Sequence, residues 1–157
     1  MKSILFVCRG NICRSPAMHA LLEDKLKKES ITGWYVDSCG TEESFAGAFV
    51  DQKVSRELKK RGIDFSHTAR PFEPSDYSTF DYIFVISWQM ANELRDRAPD
   101  GMKEKILPAS HFVKNGKDQP IPDPYSRTEN GVQEVITFID TCVEGIFETL
   151  IKPHVSR

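Results

Sequence analysis

Residues 3–7 read Ser-Ile-Leu-Phe-Val, apolar at every step after Ser3. Side chains of a strand point alternately to its two faces. An unbroken apolar run therefore fits a strand covered on both sides, the usual state of a parallel sheet. Parallel neighbours need long crossover connections, so the rest of the chain must supply helices between strands.

The following segments have that alternation. A turn containing Gly10 leads to Ser15-Pro16, which reads as a helix N-cap followed by proline at the first helical position. Met18, Leu21, Leu22 and Leu26 then form an apolar stripe, with Glu23, Asp24, Lys25, Lys27 and Lys28 opposite. Trp34–Ser38 is expected as a second strand and Asp51–Arg61 as a second helix stopped by Gly62. Tyr82–Ile86 reads as a third strand, Trp88–Arg97 as a helix ended by Pro99, and Lys105–Leu107 as a short fourth strand. Asp118–Arg127 holds Pro120, Pro122 and Pro124 and reads as a loop. A last helix is expected from about Asn130 to Ile151, with Val132, Val135, Ile136, Ile139 and Val143 on one face. No repeat or linker divides the 157 residues, so residues 1–157 are expected to form one domain.

Composition excludes several classes. Lys plus Arg number 21 against 23 Asp plus Glu, a net charge of −2, which argues against a nucleic-acid binder that works through bulk positive charge. No apolar run approaches the roughly 20 residues of a membrane span. Met1–Cys8 lacks the apolar core of a signal peptide, so a cytoplasmic protein with reduced thiols is expected. Four cysteines without a C-x-x-C pair give no support to a zinc or thioredoxin-type site. Oligomeric state has no signature in this sequence.

In an open α/β sheet, ligands bind beyond the carboxyl ends of the strands. The turn after the first strand reads Cys8-Arg9-Gly10-Asn11-Ile12-Cys13-Arg14-Ser15, a C-x5-R-S pattern leading into a helix. A loop of this size can turn several backbone N–H groups inward. Together with the helix dipole they make a site for a phosphate-like dianion. Arg14 adds two parallel charge-assisted bonds, and Cys8 shares the positive field, which favours a thiolate. Ser15 can donate to that thiolate. Gly10 is expected to supply a positive φ, and Asn11 to hold the loop through side-chain bonds to backbone. The absence of Gly-Lys-Ser/Thr excludes a Walker-type loop.

A cysteine that accepts a phosphoryl group needs an acid for the leaving oxygen, then a base for water. Pro122-Asp123-Pro124-Tyr125 is the best segment, because prolines hold Asp123 stiffly from either side. Asp100 and Asp118 are loop competitors without such flanks.

These residues resemble the low-molecular-weight protein tyrosine phosphatases. The resemblance runs from Val7-Cys8 through Ser15-Pro16, Asp37-Ser38, Gly62-Ile63, His67-x-Ala69-Arg70 and Phe80–Ile83 to Asp123-Pro124-Tyr125. It implies an α/β three-layer sandwich with a four-stranded parallel sheet, helices on both faces and a phosphate-binding loop after the first strand. It implies hydrolysis of phosphotyrosine in proteins through a phospho-cysteine. Cys8 would be nucleophile, Arg14 phosphate binder and Asp123 acid then base, with no metal or organic cofactor. Asn11, Ser15, Ser38 and His67 would support the loop. Arg9, Phe45 and Tyr125 would meet the substrate, with Arg9 favouring acidic peptides or a second phosphate. The resemblance also pairs Cys8 with Cys13 as a reversible, protective disulfide, while Cys39 and Cys142 read as packing residues.

Several positions depart from the family pattern. His19 replaces an acidic residue that helps tie the first helix to the sheet, so a buried salt-linked contact is expected to be missing. Ser44 replaces an aromatic wall of the substrate slot, leaving Phe45 or Phe49 to supply it. Ile86-Ser87 and Met90 replace a Met-Asp pair and an asparagine. Ser126 replaces the second tyrosine of a pair. Arsenate reductase of the same fold would need two further cysteines after the third strand, and none lies between Cys39 and Cys142. A protein arginine phosphatase typically has threonine where Ile12 stands. A non-hydrolytic phosphate-binding module would lack Cys8 or Asp123.

Overall fold

The computed structural model describes residues 1–125 and 127–155; Ser126 lies outside the described residues. Four parallel strands form one sheet in the order β2-β1-β3-β4. They are β1 (Lys2–Cys8), β2 (Trp34–Gly40), β3 (Tyr82–Val85) and β4 (Ile106–Pro108). Ile4, Leu5, Phe6 and Val7 of β1 are all fully buried, as a central strand covered on both faces requires. The helices are α1 (Arg14–Lys28), α2 (Gln52–Lys60), α3 (Asp76–Thr79), α4 (Trp88–Arg97) and α5 (Glu129–Ile146). The path steps one way from β1 to β2 and the other way from β3 to β4. Right-handed crossovers therefore put α1 and α4 on opposite faces. α1 packs against α5 and β2, α2 against α5, and α4 against β3 and β4. Tyr77 Oη joins α3 to α4 by donating to Leu94 O at 2.7 Å. Among the described residues, no helix is long and apolar enough to cross a membrane.

Caps explain most boundaries. Asp51 accepts from Lys53 N and Val54 N at the start of α2. Ser87 does the same for Met90 N at the start of α4, and Thr128 for Gly131 N at the start of α5. Gly62 ends α2 at φ 83°. The last apolar face continues past α5 as a wider turn over Phe147–Ile151.

The Ser15-Pro16 cap is corrected. α1 starts at Arg14, with Cys13 at the cap position and no side-chain cap bond. Pro16 sits in the first turn, where N–H groups have no intrahelical partner, so a missing donor costs nothing there. The Ser15 hydroxyl is engaged in the preceding loop instead. Other differences are small: β2 extends to Gly40, β4 begins one residue late, and the four-residue α3 is too short to show periodicity.

Candidate active site

The loop between β1 and α1 closes around the Cys8 sulfur. Cys8 is 2% exposed, at the carboxyl end of the central strand. The Asn11 backbone N–H donates to its Sγ at 3.3 Å, and Ser15 Oγ lies 3.0 Å from it. Asn11 stands at φ 59°, in the left-handed region, and this turns its N–H inward. The positive φ expected at Gly10 thus falls on its neighbour. Gly10 is needed for space: a Cβ there would lie 2.8 Å from Phe45 Cδ2. Gly40 serves the same end from β2, where a Cβ would lie 2.4 Å from Arg9 O.

Asn11 holds this strained position through its side chain. Nδ2 donates to Ser15 Oγ at 2.8 Å. Oδ1 accepts from His67 Nε2 at 2.8 Å and from Arg70 N at 3.1 Å. Only the last is the side-chain to backbone bond expected for Asn11; the others run between side chains. With its proton on Nε2 to serve Asn11, His67 also reaches Ser38 Oγ at 3.3 Å. Burial, then the neighbouring His19, holds the His67 pKa below its ordinary value and favours the neutral ring.

His19 keeps the tie to the sheet in another form. Its Nδ1 lies 3.0 Å from Ser38 Oγ, so α1 is still tied to β2, by a hydrogen bond in place of a salt link. His19, Asp37 and His67 bring donor atoms within 4.8 Å of one another, as a metal site would. Each is already engaged: His19 with Ser38, His67 with Asn11, and Asp37 with Arg70 at 3.0 Å. The cluster therefore reads as loop support.

Above Cys8 lies a cleft of about 280 Å³, lined by Arg14, Phe45, Asp123 and Tyr125 among others. Arg14 Nη1 donates to Ile121 O at 3.1 Å, and Nη2 stands 3.9 Å from Asp123 Oδ2. The Asp123 side chain is 58% exposed, and its Oδ1 accepts from Tyr125 N at 3.0 Å. Its competitor Asp118 pairs with His111 at 2.9 Å, outside this cleft. Asp100 does not line it either. Phe45 forms one wall, whereas Phe49 is 81% exposed and points elsewhere. Ile12 and Cys13 also line the cleft, and Ile12 O is anchored by Asp51 N at 2.8 Å. Burial pushes the Cys13 thiol well up. Cys39 and Cys142 are fully buried, as packing residues should be. A larger cleft of about 350 Å³ beside Lys25 and Arg61 holds no cysteine and no comparable loop.

A buried thiol that accepts the Asn11 N–H, with an arginine and a carboxylate facing across the opening, is suited to an oxyanion such as phosphate. The family model of the low molecular weight phosphotyrosine protein phosphatases matches residues 3–156. The chain belongs to this family. Low molecular weight phosphotyrosine protein phosphatase 1 of Drosophila melanogaster is 34% identical over 143 residues, 91% of each chain. A protein tyrosine phosphatase from Entamoeba histolytica, solved with Hepes in its active site, superposes at TM-score 0.91. It has 33% identity and covers 99% of this chain and all of its own. The arginine phosphatase YwlE has TM-score 0.86 at 18% identity over 97% of both chains, a likeness of fold alone.

Two of the positions expected to depart from the family pattern can be placed. Phe45 rather than Ser44 faces the cleft. Ser87, in place of the family's acidic residue, caps α4. Two further supports escaped sequence reading. Arg70 grips Asp76 and Asp37 with its guanidinium, which fixes the backbone N–H that meets Asn11. The Ile121 carbonyl sets the Arg14 side chain, and a backbone acceptor of this kind leaves no mark in a sequence.

Proposed function

We propose that this protein hydrolyses phosphotyrosine in other proteins through a phospho-cysteine intermediate, as a single phosphatase domain working in the cytosol. The observation that carries this reading is the Cys8 sulfur, held by Asn11 N–H and Ser15 Oγ below a cleft where Arg14 faces Asp123.

The Cys8 thiolate attacks phosphorus in line with the tyrosine oxygen. An S–P bond forms as the P–O bond breaks, and Asp123 gives its proton to the departing phenolate. Arg14 and the inward N–H groups hold the equatorial oxygens, where charge is greatest in the transition state. Water then attacks the phospho-cysteine, Asp123 takes its proton, and inorganic phosphate leaves with the thiolate regenerated. Ser15 donates to that thiolate, which makes the sulfur a better leaving group in the second step. The network of Asn11, Ser38 and His67 keeps the loop in shape throughout. These steps draw on side chains, backbone N–H groups and water.

Phe45 and Tyr125 beside the cleft suit an aryl group, and Ile12 supports an aryl phosphate over phosphoarginine. Cys13, on the same loop as Cys8, is the proposed partner for a protective disulfide. Turnover of a phosphotyrosine peptide and of a phosphoarginine peptide tests the reading. Efficient hydrolysis of the first, lost in Cys8→Ser, is expected. Preference for phosphoarginine would replace it.

A further inference from the structure

Arg9 follows Cys8 directly, yet its charge is already paired. Its guanidinium makes a parallel fork with Glu93 of α4, Nη1 to Oε2 at 2.9 Å and Nη2 to Oε1 at 3.1 Å. Nη1 also reaches Thr41 Oγ1 at 3.4 Å. Both side chains of the pair are about one-third exposed, at 36% and 35%. A bidentate fork is the geometry in which arginine binds a free carboxylate or phosphate.

The pair stands where clefts meet. Arg9 lines the catalytic cleft and also a neighbouring one of about 170 Å³. The second cleft has Phe72 and Leu94 as apolar walls, Arg9, Thr41 and Arg97 as its donors, and Glu42 as a second carboxylate beside Glu93. Glu93 lies among those donors. Arg9's hydrogen bonds, aided by the charges of Arg9 and Arg97, hold its carboxyl below the usual range. The carboxylate therefore sits where an anionic group of a bound peptide would be received.

We propose that Arg9, Thr41 and Arg97 form a subsite for a second anionic group flanking the phosphotyrosine, and that Glu93 occupies it in the resting protein. The inference rests on the phosphatase reading above. An acidic or phosphorylated flank displaces Glu93 and takes over the fork, so native Glu93 suppresses a preference for such substrates. A neutral flank leaves the pair intact. Glutamate and a second phosphate share the required chemistry and differ in charge, so each is a separate arm of the test.

The experiment compares kcat/KM for three phosphotyrosine peptides, with neutral, glutamate-rich and doubly phosphorylated flanks. It uses the wild type, Glu93→Gln and Arg9→Gln/Glu93→Gln, with p-nitrophenyl phosphate as a substrate that has no flank. Glu93→Gln should raise the ratio of acidic to neutral peptide about two- to fivefold, the scale of a partly exposed ion pair. The gain should shrink with added salt. The doubly phosphorylated peptide should gain most, and the double variant should lose the gain. A ratio unchanged by Glu93→Gln overturns the subsite. So does a gain that persists in the double variant, because removal of a negative charge alone then explains it. A gain confined to the doubly phosphorylated peptide restricts the subsite to phosphate and overturns its glutamate arm. Failure of the wild type to hydrolyse p-nitrophenyl phosphate overturns the phosphatase reading itself.

Discussion

His67 donates from Nε2 to Asn11 Oδ1 over 2.8 Å, and Asn11 is the loop residue whose backbone lies at φ 59°. A left-handed backbone costs an ordinary residue about 1–2 kcal/mol. The three side-chain bonds of Asn11 offset that cost and turn its N–H toward the Cys8 sulfur.

Replacing Asn11 separates the two effects. Asn11→Ala loses the bonds and must hold an unfavourable backbone, so it should destabilise by roughly 2–4 kcal/mol and lower kcat sharply. Asn11→Gly loses the bonds but accepts the backbone, and should be about 1 kcal/mol more stable than the alanine variant. Urea unfolding checks this. Equal stabilities would mean that the left-handed backbone carries no strain.

His67 gives the fold a pH dependence of known sign. Its pKa is lowered in the folded protein, from an ordinary value of 6.5, chiefly by burial. The unfolded chain therefore binds the proton first as pH falls. The contribution of His67 is full above 6.5 and is lost as pH drops through the folded value. The Tm difference between wild type and His67→Gln should favour wild type most near pH 7.5 and narrow toward pH 5. A difference that stays constant over that range would contradict the assignment.

Phe45 and Gly10 should be coupled. A Cβ on residue 10 meets the Phe45 ring at 2.8 Å, so Gly10→Ala displaces the wall of the cleft. Overpacking of this kind costs about 1–3 kcal/mol. KM for aryl phosphates should rise in Gly10→Ala. In a Phe45→Ala background the same substitution should add almost nothing. Additive effects would show that the two residues act separately.

Asp123 faces the cleft with its carboxylate more than half exposed, close to Arg14. Loss of a general acid typically costs 10²–10⁴-fold. Asp123→Asn should therefore slow phenyl phosphate severely and p-nitrophenyl phosphate less, because nitrophenolate leaves with little need of a proton. Equal losses on both substrates would remove Asp123 from the protonation step.

Much of this was readable from the chain. The apolar run after Ser3 announced the central strand, and C-x5-R-S between strand and helix marked the loop. Pro122 and Pro124 singled out Asp123. The errors share a physical cause: packing and hydrogen-bond partners that outweigh the local pattern. Ser15 looked like a helix cap because Ser-Pro is a local cap signal, whereas its hydroxyl is taken by Cys8 and Asn11 in the loop. The positive φ was expected at Gly10 rather than at Asn11, because the close approach of Phe45 that Gly10 accommodates comes from another segment. The Arg9–Glu93 pair left no mark in the sequence, because Glu93 joins from α4, 84 residues away.

The most direct test is chemical capture of the intermediate. Asp123→Asn, mixed with p-nitrophenyl phosphate and acid-quenched within one turnover, should carry phosphate, because water attack lacks its base. Mass spectrometry of the digest should place that phosphate on the Cys8 peptide, and Cys8→Ala should not label there, while Cys8→Ser should not turn over. Phosphate on any other residue, or hydrolysis that survives in Cys8→Ser, would contradict the account.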